Sequence, residues 1–154
     1  MGSFVEIRAS EKSLARRKPV YGIGINDSWY LTKLSINGEE VRCPFYKKWS
    51  SMLSRCYSEK YQKKQVTYKG CSVCEEWLLF SNFKSWMEKQ DWNGKHLDKD
   101  ILIQGNKIYS PDTCLFITQA INNLMSYDKA TKGCYQKGVT HHEATGKFVA
   151  RFSL

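Results

Sequence analysis

The sequence predicts an α+β fold, and three patterns predict it. Around residues 46–56 and 77–87, large apolar side chains recur at helical spacing. Residues 19–42 and the tail after residue 138 instead alternate apolar and polar positions around turns, which is typical of strands and hairpins. In residues 95–118 a strand, a long turn and a short strand lead into a helix. Helices and short strands are therefore expected to be mixed along the chain.

Two aromatic-rich helices are expected to supply the core. The first has a basic outer face and an inner stripe of Tyr46, Trp49, Met52, Leu53 and Cys56. The second covers about residues 74–90, with a stripe of Trp77, Phe80, Phe83, Trp86 and Met87. Such stripes pack in a core more often than they stack on bases. The lysine-rich residues 59–70 between them are expected to form a loop.

Turn residues and caps place the other elements. Asn26-Asp27 and Asn37-Gly38 predict one or two strands with tight turns in residues 19–42. Thr118 is expected to cap a third helix over residues 119–125. The chain then divides into four parts. These are a loosely ordered basic arm (1–18), a main domain (19–126), a polar linker (127–137) and a C-terminal hairpin (138–154).

The composition points to an acidic partner. The 154 residues carry a formal net charge of +9, with 42% hydrophobic and 14% aromatic residues. Nucleic acid is the commonest partner of so basic a chain. The expected DNA-binding residues follow the first helix and the lysine-rich segment: Lys47, Lys48, Arg55, Lys60, Lys63, Lys64 and Lys69. No apolar run reaches the roughly 18 residues of a membrane span, and no signal peptide is visible, so we expect a cytoplasmic protein with no membrane contact.

The six cysteines leave two interpretations open. In a reducing compartment they are free thiols or metal ligands rather than disulfides. A tetrahedral zinc site at the Cys-x-x-Cys pair of residues 71–74 would need two further ligands. The candidate zinc ligands are Cys56, Cys71, Cys74 and Cys114. Because the sequence has no second half-motif, buried free thiols are favoured over structural zinc.

The segment "KHLDKDILIQGNKIYSPDTCLFIT", residues 95–118, has the strongest chemical pattern. Alternation predicts that His96, Asp98 and Asp100 share one face of a strand. Two carboxylates held close repel each other unless a cation or a basic group lies between them. Lys99 is expected to point to the opposite face, which leaves a bound cation, or Lys95 or Lys107, as the counter-charge. On spacing alone, a solvated strand edge is favoured over a site.

Three motifs in this order resemble a known family. They are "YKKWSSMLSRC" (46–56), "VCEEWLLF" (73–80) and "LDKDILIQGNKIYSPDTC" (97–114). Together they resemble the phage and mobile-element proteins of the His-Asn-His (HNH) endonuclease superfamily, over roughly residues 20–126. The tail "GVTHHEATGKFVAR" is similar to the opening two strands of an AP2-type DNA-binding domain, which such proteins often carry after the nuclease module. The resemblance implies a ββα-metal core, with the hairpin 138–154 as a truncated AP2-like segment.

The resemblance also implies a site. The family's first-strand base and ligand positions fall on Asp98, Lys99 and Asp100, its loop position falls near Asn106, and its helix position falls on Asn122 or Asn123. The implied catalytic residues are His96, Asp98, Asp100 and Asn106. The implied ligands of Mg²⁺ or Mn²⁺ are Asp98, Asp100 and Asn123. The sequence departs from the family's pattern by having no histidine at the base position and Thr113 where the corner asparagine is expected.

Two functions of different classes follow. The leading one is a phage-type DNA-binding protein of the HNH endonuclease group that cleaves or nicks DNA with a divalent cation. The alternative is a catalytically inactive nuclease-fold module that binds nucleic acid, or a phage or host protein. A phage-encoded chain would act in the cytoplasm of its bacterial host.

Overall fold

The computed structural model describes residues 4–130, 139–142 and 147–150, and it contains both helices and small sheets, as an α+β fold requires. The chain divides into two compact units, Met1–Phe116 and Ile117–Leu154. Sequence reasoning had placed the boundary after residue 126, at the end of the third helix. The expected linker is helical as far as Ala130, and its other residues lie outside the described ranges.

The basic arm is ordered from residue 4, which corrects the expectation of a loose segment. Arg8 forms an antiparallel bridge with Tyr30, and helix α1 (Glu11–Ala15) follows. The Arg17 guanidinium then donates to three main-chain oxygens, those of residues 26, 28 and 30, at 2.9, 2.5 and 2.7 Å. Because this one side chain satisfies three carbonyls and the bridge pairs Arg8 with Tyr30, the arm is fastened to the domain.

A hairpin comes next, as predicted. Strands β1 (Lys33–Ile36) and β2 (Glu39–Arg42) pair antiparallel. The connecting residues Asn37 and Gly38 have φ of 52° and 82°. These left-handed values suit the asparagine-glycine pair of a two-residue hairpin turn.

The first aromatic helix is α2 (Pro44–Tyr57). The lysine-rich segment after it is mostly helical rather than a loop: α3 spans Glu59–Lys64, and a 3₁₀ turn spans Val66–Tyr68. The sequence signal for α3 is its N-cap residue, Ser58. Its Oγ accepts a hydrogen bond from the Tyr61 amide at 3.3 Å.

The second aromatic helix is broken, which corrects the expectation of one helix over residues 74–90. A 3₁₀ turn (Glu75–Leu78) is separated from α4 (Phe80–Met87) by Leu79, which is extended. Leu79 forms a parallel bridge with Ile25. The Ile25 amide donates to the Leu78 carbonyl at 2.8 Å, and the Phe80 amide donates to the Ile25 carbonyl at 3.0 Å. A long-range pairing therefore replaces one turn of helix, which local periodicity cannot show.

Two further strand pairs complete the first unit. The strand β3 (Ser72–Val73) pairs in parallel with β5 (Ile108–Tyr109). The strand β4 (His96–Asp98) pairs with β6 (Leu115–Ile117). The connection between β4 and β6 therefore contains β5, which pairs with β3 instead. Because β4 ends at Asp98, Asp100 lies beyond the strand.

The aromatic stripes form the core of the first unit, as predicted. Trp49, Trp77 and Phe80 are fully buried, and the Trp49 indole donates to the Trp77 carbonyl at 2.7 Å. Trp86 is half-buried and stacks on Phe116, with ring centroids 5.6 Å apart. Burial of these rings supplies most of the apolar area that stabilises the unit.

The second unit contains helix α5 (Gln119–Ala130) and the strands β7 (Val139–His142) and β8 (Lys147–Ala150). Thr118 Oγ1 accepts a hydrogen bond from the Ile121 amide at 3.4 Å, so the predicted cap is confirmed. The strands β7 and β8 pair antiparallel, which confirms the predicted hairpin. Within the described ranges, no helix has the length and hydropathy of a membrane span.

Candidate functional site

Asp98 closes a bend at the end of β4. Its Oδ1 accepts hydrogen bonds from the amides of Asp100 and Ile101, both at 2.8 Å. A carboxylate that caps two successive amides in this way fixes the direction of the chain. This side chain therefore has a turn-forming role in addition to any chemical one.

Lys99 is the buried cation of this segment, with 4% of its surface exposed. Its ammonium donates to Asp100 Oδ1 at 2.6 Å and to the Asn106 carbonyl at 2.5 Å, and lies 5.9 Å from the centre of the Tyr109 ring. The expectation that Lys99 points away from the carboxylates was wrong for Asp100. That expectation assumed a strand continuing to Asp100, but the strand ends at Asp98. The bend that follows turns the Lys99 side chain towards Asp100.

Asn106 ties the two ends of the long turn together. Its side-chain amide donates to the carbonyls of Lys99 and Ile108 at 2.9 and 2.6 Å, while its Oδ1 accepts from the Ile108 amide at 3.1 Å. The predicted loop asparagine thus contacts main chain on both sides of the turn. We call Asp98, Lys99, Asp100 and Asn106 the neck network.

The neck network does not fit the implied Mg²⁺ or Mn²⁺ site. An ammonium group already lies between Asp100 and the turn, and Asp98 Oδ1 is engaged by two amides. Asn123 belongs to the second unit, where its Oδ1 accepts from Gln119 Nε2 at 2.6 Å. Among the described residues, no three histidine, cysteine, aspartate or glutamate side chains are arranged to hold a metal ion. No catalytic step is therefore assigned to a metal here.

His96 lies in a basic groove between α2 and β4, of about 330 Å³. The groove is lined by Pro44, Lys47, Lys48, Ser51, Met52, Arg55, His96 and Leu97. It brings one predicted catalytic residue together with three predicted DNA-binding residues. Local sequence patterns do not reveal this proximity, because α2 and β4 are far apart along the chain.

Lys48 contributes a partly buried positive charge to the groove. Its ammonium donates to the Lys95 carbonyl and lies 6.0 Å from the Phe116 ring centre. Desolvation lowers the pKa of Lys48, and the nearby charges of Arg55 and Lys47 lower it further. Three positive charges therefore lie close enough to repel one another, and an anion in the groove would relieve that repulsion.

Arg55 forms the inner wall of the groove. Its Nη1 donates to the Leu97 carbonyl at 3.3 Å and to the Tyr109 hydroxyl at 3.4 Å, and its guanidinium lies 5.7 Å from the Tyr68 ring centre. Desolvation lowers the pKa of Arg55, but the phenol groups of Tyr109 and Tyr68 raise it more, so the group stays charged. In the described part of the chain, Arg55 Nε is buried with no hydrogen-bond partner.

The other predicted DNA-binding lysines are exposed on the segment after α2. Three of them, Lys60, Lys63 and Lys64, belong to α3, and Lys69 follows the 3₁₀ turn. Lys107, which was not among the predicted DNA-binding residues, joins this segment to the long turn. Its ammonium donates to the carbonyls of Thr67 and Lys69 at 2.9 and 3.3 Å.

The candidate zinc ligands are core side chains. Cys56, Cys71 and Cys114 are buried free thiols, and Cys74 is a half-buried one. Desolvation raises the pKa of Cys56 to about 12 and that of Cys114 to about 11, and it also raises the pKa of Cys74. Zinc binds thiolates, so a zinc ion at these cysteines would have to displace their protons. Metal binding at these cysteines stays a prediction.

No family model, curated protein or solved structure matches this chain. The HNH resemblance and the AP2-like tail therefore stay predictions. The observations that bear on function are the basic groove and the net charge of the chain.

Proposed function

We propose that the protein binds DNA, with a backbone phosphate held in the basic groove between α2 and β4. The proposal rests on one observation: Lys47, Lys48 and Arg55 line the same concave surface as His96. Concave sites lined by cations concentrate the field that attracts phosphate. The formal net charge of +9 supplies long-range attraction to a polyanion.

The groove has the chemistry of a phosphate site. Arg55 is pre-oriented by Leu97 and Tyr109, and Lys48 by the Lys95 carbonyl, so little side-chain entropy is lost on binding. Lys47 is exposed and reaches both this groove and the neighbouring hollow beside Arg42. We infer that Lys47 makes the first contact with an incoming phosphate and that Arg55 sets its final position.

A longer DNA contact follows from the neighbouring elements. The lysines of α3 and Lys69 provide a second row of exposed positive charge. The order β4, β6 and α5 along the chain also supports the resemblance to a ββα core. On this proposal the protein is a DNA-binding module of the HNH type. In its neck network the Lys99 ammonium provides the positive charge beside Asp100.

The test is the salt dependence of binding to a mixed-sequence DNA duplex, measured by fluorescence anisotropy. Affinity is expected to fall steeply as salt rises, because neutralised phosphates release counterions. Lys47→Ala is expected to weaken binding and to reduce the slope of log K against log salt by about one. Lys89→Ala is the matched control, because Lys89 is exposed and does not line the groove. Absence of binding at low salt, or equal effects of the two variants, contradicts the proposal.

Cleavage of the bound DNA is a second candidate function. One observation favours it: His96 lies in the same groove as the phosphate-binding cations. An imidazole is the side chain best suited to take a proton from water near neutral pH. On this candidate, His96 accepts a proton from the water that attacks the scissile phosphorus, and the P–O bond to the leaving deoxyribose oxygen breaks. That oxygen takes up a proton from solvent water, while Arg55 and Lys48 stabilise the developing negative charge.

Plasmid nicking separates the two functions. Wild-type protein, His96→Ala and Asp98→Ala are incubated with supercoiled plasmid in Mg²⁺, in Mn²⁺ and in a chelator. Nicking that His96→Ala abolishes supports cleavage, and its metal dependence shows whether a cation takes part. If no condition yields nicked plasmid while DNA binding is intact, the protein is a binder.

A further inference from the structure

The long turn between β4 and β5 ends in two exposed aliphatic side chains. Leu102 is 55% exposed and Ile103 is 53% exposed, although both are large and apolar. Single exposed apolar residues are ordinary on a protein surface. Two in succession at the tip of a turn, in a chain this basic, call for a partner.

The tip is held by a rigid neck. Asp98 fixes the bend on one side, and the buried Lys99 ammonium joins Asp100 to the Asn106 main chain on the other. The Asn106 side chain closes the same gap a second time through the Lys99 and Ile108 carbonyls. The hydrogen bonds of the neck network therefore fix the geometry of this turn. An apolar tip that is held in this way loses little conformational entropy when it binds.

Positive charge lies beside the neck. Lys107 follows the turn, and its ammonium rests on the carbonyls of Thr67 and Lys69. The turn therefore adjoins the segment that carries Lys69, which in turn follows α3 with its three exposed lysines. An apolar tip whose turn adjoins a lysine-rich segment complements a polyanion with an apolar interior, and a stacked DNA duplex is such a partner.

We propose that Leu102 and Ile103 form a wedge that enters between two stacked base pairs of the bound DNA. This inference rests on the proposed DNA binding and adds how the duplex is deformed. Lys107 and Lys69, which are neighbours, contact the phosphate backbone beside the opened step, and the aliphatic side chains replace the lost base stacking. Apolar wedges of this kind unstack a base step and bend the duplex.

The experiment compares three proteins on one duplex that contains a fluorescent adenine analogue, whose emission rises on unstacking. They are the wild type, the tip variant Leu102→Ala/Ile103→Ala and the control Val5→Ala/Ile7→Ala, which removes equally exposed aliphatic groups elsewhere. Energy transfer between dyes at the two duplex ends reports bending. The tip variant is expected to lose both signals and to bind about tenfold more weakly, with an unchanged salt slope because the phosphate contacts remain. The control variant is expected to match the wild type.

Each other outcome overturns the inference in a distinct way. Binding by the wild type without unstacking or bending rejects the wedge but leaves DNA binding intact. Absence of binding by the wild type rejects the proposed function itself. If the wild type self-associates in sedimentation and the tip variant does not, the tip contacts a second copy of the chain and the wedge is rejected. A melting curve of the tip variant verifies that it is folded.

Discussion

The ammonium of Lys99 lies 2.6 Å from Oδ1 of Asp100, and both groups are partly or fully shielded from water. Neighbouring residues of a regular strand point to opposite faces, so this ion pair exists only because the chain bends after Asp98. The pair places a positive charge where the sequence suggested a divalent cation. The chain thus provides its own counter-charge for the carboxylate.

Removing that charge is expected to be costly. Lys99→Met keeps the apolar stem but leaves Asp100 and the Asn106 carbonyl without the ammonium, and loss of one partner from a buried pair costs about 3–5 kcal/mol. The free energy of unfolding in urea measures the loss. Lys95→Met is the matched control, since Lys95 pairs with the exposed Asp91 and such surface pairs contribute about 0–1 kcal/mol. Equal losses in the two variants would show that the Lys99 pair is not a structural one.

Divalent cations are expected to leave the melting temperature unchanged. A ligand raises the melting temperature only if it binds the folded state, and Lys99 already occupies the space beside Asp100. Thermal melting in Mg²⁺, in Mn²⁺ and in a chelator gives the measurement. A rise in either metal that disappears in Asp98→Ala would instead support the cation site implied by the family resemblance.

Two tryptophans of opposite exposure test the core. Trp77 is 1% exposed and Trp29 is 56% exposed. Trp77→Ala is expected to cost about 3–5 kcal/mol, because a buried aromatic side chain leaves a large cavity. Trp29→Ala is expected to cost less than about 1 kcal/mol. Chemical denaturation measures both, and unchanged stability of Trp77→Ala together with lost DNA binding would assign Trp77 to the interface.

Gly24 is expected to tolerate no side chain. A Cβ at this position would lie 2.3 Å from Leu53 Cδ1 and 2.9 Å from Trp49 Cζ2. Gly24→Ala should therefore cost about 1–3 kcal/mol through overpacking. The same substitution in a Leu53→Ala background should cost less, because the clashing methyl group is gone. A double-mutant cycle measures this coupling, and additive losses would show that the contact with Leu53 is not the cause of the destabilisation.

The buried thiols predict how stability depends on alkaline pH. The pKa of Cys56 is raised to about 12 and that of Cys114 to about 11 by desolvation. Unfolded thiols titrate near about 8.5, so the unfolded state loses protons first as pH rises. Stability is then fully present below about 8.5 and declines as pH rises towards 11–12. Urea unfolding at a series of pH values measures this, and Cys56→Ala/Cys114→Ala should be less sensitive between about 8.5 and 10, before tyrosines titrate.

Local patterns predicted the core and the turns but not the site. The spacing of Trp49, Trp77 and Phe80 was enough to assign them to the interior, because amphipathic periodicity records which face is buried. Asn37-Gly38 was likewise enough for the hairpin. Both signals are contained within a few residues, so no tertiary information is needed to interpret them.

Apart from helix α3, whose local cap at Ser58 was missed, the main errors involve partners distant in sequence or a buried charge. Leu79 leaves the helix because Ile25 pairs with it, and the groove exists because α2 packs near β4. The spacing of apolar residues within either segment predicts neither of these long-range contacts. Lys99 was expected to point away from the carboxylates, and lysine is almost never fully buried unless it is paired. Its burial depends on Asn106 closing the turn, which a strand-period pattern does not record.

The parallel pairing of β3 with β5 has a consequence for synthesis of the protein. The Ser72 amide donates to the Lys107 carbonyl and the Cys74 amide to the Tyr109 carbonyl, so Tyr109 is placed beside the aromatic helices only after residue 109 has left the ribosome. Until then the nascent chain lacks Tyr109, and the core residues that it covers have no partner on that side. Incomplete chains with exposed apolar surface are prone to aggregate and are bound by chaperones. Premature termination before residue 109 should therefore yield an aggregation-prone fragment.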